Sequence, residues 1–125
     1  MMGGALARGL MRAGAMPSSQ IRLYDPDSSR AQQVANDLGS DIAASPSASL
    51  AIEGADIVLL AVKPPILPNL LADISQGLTA SHLVISIAAG VRLSKMEALT
   101  PANVPIIRSM PNTPCLVGMG ATAIC

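Results

Sequence analysis

Two apolar runs limit what this chain can fold into. Ile57-Val58-Leu59-Leu60-Ala61-Val62 and Leu83-Val84-Ile85-Ser86-Ile87-Ala88 are almost wholly hydrophobic, and helical patterning lies between them. A strand without polar alternation is what a parallel sheet covered on both faces requires, so the first run is expected to be covered on both. Lys63-Pro64-Pro65 stops the first run, because proline has no amide to give a ladder. Ala89-Gly90 stops the second.

The alternation continues in both directions. Ala5, Leu6, Gly9, Leu10 and Ala13 recur at helical spacing until Gly14. Ile21-Arg22-Leu23-Tyr24-Asp25 reads as a short strand ended by Pro26. Ser28 or Ser29 then caps a helix with Ala31, Val34, Ala35 and Leu38 inward and Gly39 beyond it. Ile42-Ala43 is a very short strand, and residues 47–53 form one or two helical turns ending at Gly54. A helix from Ile66 reaches about Ile74, with Pro68 a point where it can break, and another covers residues 93–99. Residues 104–110 form a third buried strand, whose early Pro105 suits a strand start, and residues 121–125 form one more. Strands separated by helices predict an α/β fold: a doubly wound parallel sheet with helices on both faces.

At 125 residues, half of them hydrophobic, the chain is one domain's worth of sequence. It has no Phe, no Trp and one Tyr, so Ala, Leu, Ile and Val must fill its core. Eight basic residues balance eight acidic ones with no basic run. That excludes a nucleic-acid partner, whose binding rests on clustered Lys and Arg. No apolar stretch reaches the ~18 residues that span a bilayer, and no basic region precedes the apolar N-terminal stretch as in a secretory signal. Cys115 and Cys125 have neither metal-ligand nor disulfide spacing, and are read as reduced, half-buried thiols. His82 is read as a solvated loop residue. No metal site is expected.

In open parallel sheets, ligands bind beyond the carboxyl ends of the strands. Five segments fall there. Met2, Gly3 and Gly4 lead into the first helix, whose first amides can hold a phosphate, although a flexible N-terminus looks the same. Asp25 ends the second strand of the pattern, roughly 20 residues after the glycines, where a carboxylate accepts from a ribose diol. Ser28, Ser29 and Arg30 beside it can instead accept a ribose phosphate. Ala61, Val62, Lys63 and Pro64 end one buried strand. Ser86, Ala88, Ala89 and Gly90 end the next with small residues that let a flat ring approach the main chain. Met110, Pro111, Asn112, Thr113 and Pro114 form a polar loop held between prolines, which suits a ligand or an Asx turn.

In this order, the segments Met2-Gly3-Gly4-Ala5-Leu6-Ala7-Arg8-Gly9-Leu10, Ala61-Val62-Lys63-Pro64, Ser86-Ile87-Ala88-Ala89-Gly90-Val91, Met110-Pro111-Asn112-Thr113-Pro114 and Val117-Gly118-Met119-Gly120-Ala121-Thr122 closely resemble the pyrroline-5-carboxylate reductase family. The resemblance runs along essentially the whole chain; its third segment followed by its fourth is the specific part, and the glycine helix is not.

The resemblance implies a Rossmann-type dinucleotide-binding domain, NADP or NAD as cofactor, and reduction of 1-pyrroline-5-carboxylate to L-proline in the cytoplasm. It implies that Met2 and Gly3 border the pyrophosphate and that Asp25 and Ser28 flank the adenosine ribose. Ala61, Val62, Lys63 and Pro64 would lie along the cofactor, with Ser86, Ala88, Ala89 and Gly90 around the nicotinamide. Met110, Asn112 and Thr113 would meet the substrate. No general base stands out, and no catalytic residue is assigned.

Two departures from the family set further expectations. The family's first, central strand and its Gly-x-Gly-Asn turn have no counterpart here, and its helical, dimer-forming C-terminal domain is absent. Residues 1–125 are therefore expected to be a partial dinucleotide-binding domain, inactive and not oligomeric by itself, although the full-length family forms homo-oligomers. A related dehydrogenase or imine reductase, or a non-catalytic nucleotide-binding remnant, are the alternatives.

Overall fold

The computed structural model describes residues 2–39, 41–112, 114 and 117–125. The chain divides into two compact units, Met1–Ala51 and Ile52–Cys125.

The first unit runs α1 (Met2–Arg12), β1 (Arg22–Leu23), α2 (Ser28–Leu38), β2 (Ala43–Ala44) and α3 (Ala48–Ile52), the last reaching the boundary. Gly14 follows α1 at φ +66°, a conformation that lets the chain turn back without a Cβ clash. Ala7, Ile21, Ala35, Leu38 and Ile42 form the core, with Met11, Met16, Leu23, Val34 and Ala44 packed on it. The core is small because the helices meet closely: a Cβ on Gly4 would stand 3.1 Å from Val34 Cγ1. β1 and β2 pair in parallel over two residues, Arg22 with Ala43 and Leu23 with Ala44. The Ser45 amide extends the pairing by donating to the Leu23 carbonyl at 2.7 Å.

The second unit runs β3 (Ile57–Leu60), α4 (Leu67–Ile74), β4 (Leu83–Ser86), α5 (Leu93–Glu97), β5 (Ile106–Pro111) and β6 (Thr122–Ile124). These strands form one sheet in the order β3-β4-β5-β6. The first three are parallel, and β6 runs antiparallel to β5. Residues in register share a face, so Val58, Leu60, Val84 and Ser86 line one side, and all four are buried. Leu67, Leu71, Ile74 and Met96 are also fully buried, so the core lies on that side, between sheet and helices.

Several expectations are corrected. Ile57 is 50% exposed and Leu59 36%, so β3 is not covered on both faces. A run apolar at every position is equally compatible with a strand covered on one face only. Among the described residues, the strands make two hydrogen-bonded sheets, and the separation of β1 from β3–β6 agrees with the expectation that no strand joins the one at Ile21 to the one at Ile57. The last strand is antiparallel because its chain returns directly from β5, and a short return can only reverse direction. Pro68 sits in the first turn of α4, where no amide is needed, and does not break it. Asp27, not Ser28 or Ser29, caps α2.

His82 is 6% exposed rather than solvated. The Thr79 amide donates to Nδ1 at 3.0 Å, which leaves the proton on Nε2 to donate to the Ile52 carbonyl at 3.2 Å. Cys125 is exposed rather than half-buried, and Cys115 lies outside the described residues.

Candidate functional site

In the first unit, the loop leaving the carboxyl end of β1 organises the candidate residues. The Asp27 amide donates to Asp25 Oδ1 at 2.9 Å, an Asx turn around Pro26. Asp27 Oδ1 then accepts from the amides of Ser29 (3.1 Å) and Arg30 (3.2 Å) and from the Ser29 hydroxyl (2.6 Å). These bonds cap α2 and hold the Asp27 carboxyl below the usual carboxylate range, the Ser29 hydroxyl contributing most and the Arg30 amide next. Arg30 reaches back to both acids, at 3.9 Å from Asp25 Oδ2 and 3.8 Å from Asp27 Oδ2. Such open pairs hold a guanidinium only loosely. Asp25 is half-buried and Ser28 exposed, while Met2 and Gly3 are half-buried in the first turn of α1.

In the second unit, register brings the other candidates to one end of the sheet. Leu60 lies beside Ser86, and Ser86 beside Arg108, on parallel strands. The residues after each therefore leave from the same edge: Ala61 to Pro64, then Ala88 to Gly90, then Met110 to Asn112. Ala61 and Val62 are half-buried, and Lys63 and Pro64 are exposed. Ser86 is fully buried and its hydroxyl accepts from the Ala88 amide at 3.3 Å, so its side chain shapes the turn from beneath. Ala88 is buried too, and the open surface here is the backbone of Ala89 and Gly90. Gly90 has φ +74° and nothing within 4 Å of where a Cβ would be. Met110 and Asn112 are exposed. Asn112 Oδ1 accepts from the Ala121 amide at 2.9 Å, and the Asn112 amide donates back to the Ala121 carbonyl at 3.2 Å. Thr113 lies outside the described residues.

Two residues that sequence reasoning did not single out belong to these two surfaces. Asp27 completes the β1 loop. Arg108 has a buried Nε without a hydrogen-bond partner among the described residues. A charge inside the apolar run of β5 was the available signal. A cavity of about 530 Å³, lined by Ala72, Ser75, Gln76, Ala98, Leu99, Thr100 and Pro101, opens by the last turns of α4 and α5 and not at the strand ends. Among the described residues, no three His, Cys, Asp or Glu are grouped to hold a metal ion, and no helix is long and apolar enough to cross a membrane.

What the two surfaces offer chemically is complementary. One presents a carboxylate with one oxygen, Asp25 Oδ2, that among the described residues faces a loose cation alone and is suited to accept from a hydroxyl. The other presents open main chain at the carboxyl ends of three parallel strands, where an α/β sheet holds a ligand.

Residues 1–90 match the family model described as "NADP oxidoreductase coenzyme F420-dependent", and the chain belongs to that family. Within it, the chain is similar to reductases of one kind. It is 38% identical to the pyrroline-5-carboxylate reductase of Escherichia coli (strain K12), over 98% of this chain and 45% of that protein. The crystal structure of Plasmodium falciparum pyrroline carboxylate reductase with NADP bound matches at TM-score 0.83 and 32% identity, over 99% of this chain and 44% of that one. The Coxiella burnetii pyrroline-5-carboxylate reductase matches at TM-score 0.89 and 29% identity, over 98% of this chain and 45% of that one. The chain thus spans less than half the length of the relatives it matches.

Proposed function

We propose that this chain is the dinucleotide-binding part of an NAD(P)H-dependent pyrroline-5-carboxylate reductase, which reduces 1-pyrroline-5-carboxylate to L-proline. The observation that carries the reading is the shared edge of β3, β4 and β5. It gathers the residues after Leu60, Ser86 and Arg108, and with them residues 86–91 and 110–114, in which the likeness to the reductases is most specific. A small-molecule imine as partner, a cytoplasmic setting and a homo-oligomeric full-length enzyme go with this reading.

The nicotinamide, when bound, supplies the hydride for the C=N carbon. The chain's own residues hold and orient. Met2 and Gly3, in the first turn of α1, border the pyrophosphate, where the start of a helix favours an anion. Asp25 Oδ2 accepts from the ribose diol, with Ser28 alongside. Lys63 and Pro64, with Ala61 and Val62 behind them, lie along the dinucleotide. The main chain of Ala88, Ala89 and Gly90 lets a flat ring approach, because no side chain stands above Gly90. Ser86 fixes that turn through the Ala88 amide. Met110, Asn112 and Thr113 border the imine. Asn112 is already positioned by its two bonds to Ala121, which leaves its side-chain NH₂ to donate. Catalysis on this surface is placement, which in favourable cases accounts for about 7–11 kcal/mol of a barrier.

The test has two arms. The chain is titrated with NADPH and NADH, followed by nicotinamide fluorescence, and saturable binding of at least one is expected. The full-length enzyme is then assayed for nicotinamide oxidation that depends on pyrroline-5-carboxylate. Absence of binding to both nucleotides, or activity on a hydroxy acid and none on the imine, overturns the proposal.

A further inference from the structure

We infer that the β1 loop selects a dinucleotide with a free ribose 2′-hydroxyl, NADH, over one with a 2′-phosphate, NADPH. The inference rests on the placement of the adenosine ribose at Asp25 proposed above, and deepens it.

A 2′-phosphate brings close to two negative charges and three acceptor oxygens that need donors. The loop has few left. The amides of Ser29 and Arg30, which would be the anion-binding donors of the α2 start, already donate to Asp27 Oδ1, and the Ser29 hydroxyl donates to the same atom. The Asp27 amide is taken by Asp25 Oδ1. The helix start is thus closed by a carboxylate belonging to the chain itself. Arg30 is the loop's one cation, and it stands 3.9 Å from Asp25 and 3.8 Å from Asp27. Two carboxylates and one guanidinium leave the loop at −1, so a phosphate arriving there meets net repulsion.

A 2′-hydroxyl meets the opposite situation. It brings a donor, and Asp25 Oδ2 is a carboxylate acceptor whose one cationic neighbour among the described residues is that loosely held guanidinium. Hydrogen bonds to a charged acceptor are the stronger kind. Asp25 is also anchored, since its other oxygen holds the Asp27 amide at 2.9 Å. The same interlocked residues that favour the hydroxyl therefore exclude the phosphate.

The test measures dissociation constants of NADH and NADPH for the 125-residue chain, unaltered and as Asp25→Ser and Asp25→Asn. The second variant retains an acceptor for the Asp27 amide, so it separates charge from loop geometry. The unaltered chain is expected to bind NADH at least about tenfold more tightly, and both variants to shift the ratio toward NADPH. NADPH binding as tightly as NADH to the unaltered chain overturns the inference and leaves the proposed function standing. A ratio unmoved in both variants overturns the role of Asp25. Saturable binding of neither nucleotide to the unaltered chain overturns the proposed function, and this inference with it.

Discussion

The two units solve the same problem with different means. The second unit has a ladder of four strands, and apolar side chains do most of the organising: Leu67, Leu71, Ile74, Val84 and Met96 are all but inaccessible. Its strand-end surface is mostly backbone. The first unit has a ladder only two residues long and a core rich in Ala. There, polar side chains tie the connections. Asp25 and Asp27 bind main-chain amides, and Arg22 donates to the Leu50 carbonyl at 3.2 Å. Where the ladder is long, shape comes from burial; where it is short, shape comes from local hydrogen bonds. The first kind of surface suits a flat ring, and the second suits a discriminating polar contact.

The largest break in that contrast is expected from Leu71→Ala. A fully buried leucine truncated in a packed core destabilises by about 2–5 kcal/mol, and denaturant unfolding of the second unit should shift accordingly. A shift below that range would mean that the core collapses around the gap and that burial is not what holds this unit.

His82 is the exception that sharpens the contrast, a polar pin inside the ladder-rich unit. His82→Ala leaves the part-buried Thr79 amide without its acceptor, while the Ile52 carbonyl loses one donor and keeps the Ala55 amide. A lost hydrogen bond of this kind is worth about 0.5–1.5 kcal/mol, so a loss in that range is expected from the same unfolding curves. Nitrogen NMR of the ring should find the proton on Nε2, and finding it on Nδ1 would contradict the pin.

The smallest effect is local. Asp27→Ala should fray the first turn of α2, read as faster amide exchange at Ser29 and Arg30, while Asp27→Ser should largely preserve protection. The sign with pH follows from the lowered carboxyl. The contribution of the cap is fully present above the usual carboxylate range and disappears as pH falls through the lower, folded-state value. Protection at those amides, taken relative to the intrinsic exchange rate at each pH, should therefore fall on acidification in the unaltered chain and stay flat in the Ala variant. An equal fall in both would assign the effect elsewhere.

Most of the architecture was legible because its signals are patterns. The runs at Ile57, Leu83 and Ile106 lie in strands, and Gly14, Gly39, Gly54 and Gly90 take positive φ at the ends expected for them. What was not legible depends on a single partner rather than a period. The cap of α2 had three eligible residues in Asp27-Ser28-Ser29, and only the geometry of the Asx turn puts Asp27 at the right place. The burial of His82 depends on a carbonyl thirty positions away in sequence. The direction of β6 has no trace in composition, since parallel and antiparallel strands of three residues look alike. At the candidate site the segments were legible, but not that Ser86 and Ala88 turn their side chains inward, nor that Arg30 stands between two acids.

The half-open face of β3 has a consequence for handling the molecule. Among the described residues β3 has a partner strand on one side only, and Ile57 and Leu59 are accessible beside that bare edge. An unpaired edge with branched apolar side chains is a template for another strand. The colloidal behaviour of this chain should therefore be governed by four residues: self-association that grows with concentration and recedes when a lysine replaces Leu59.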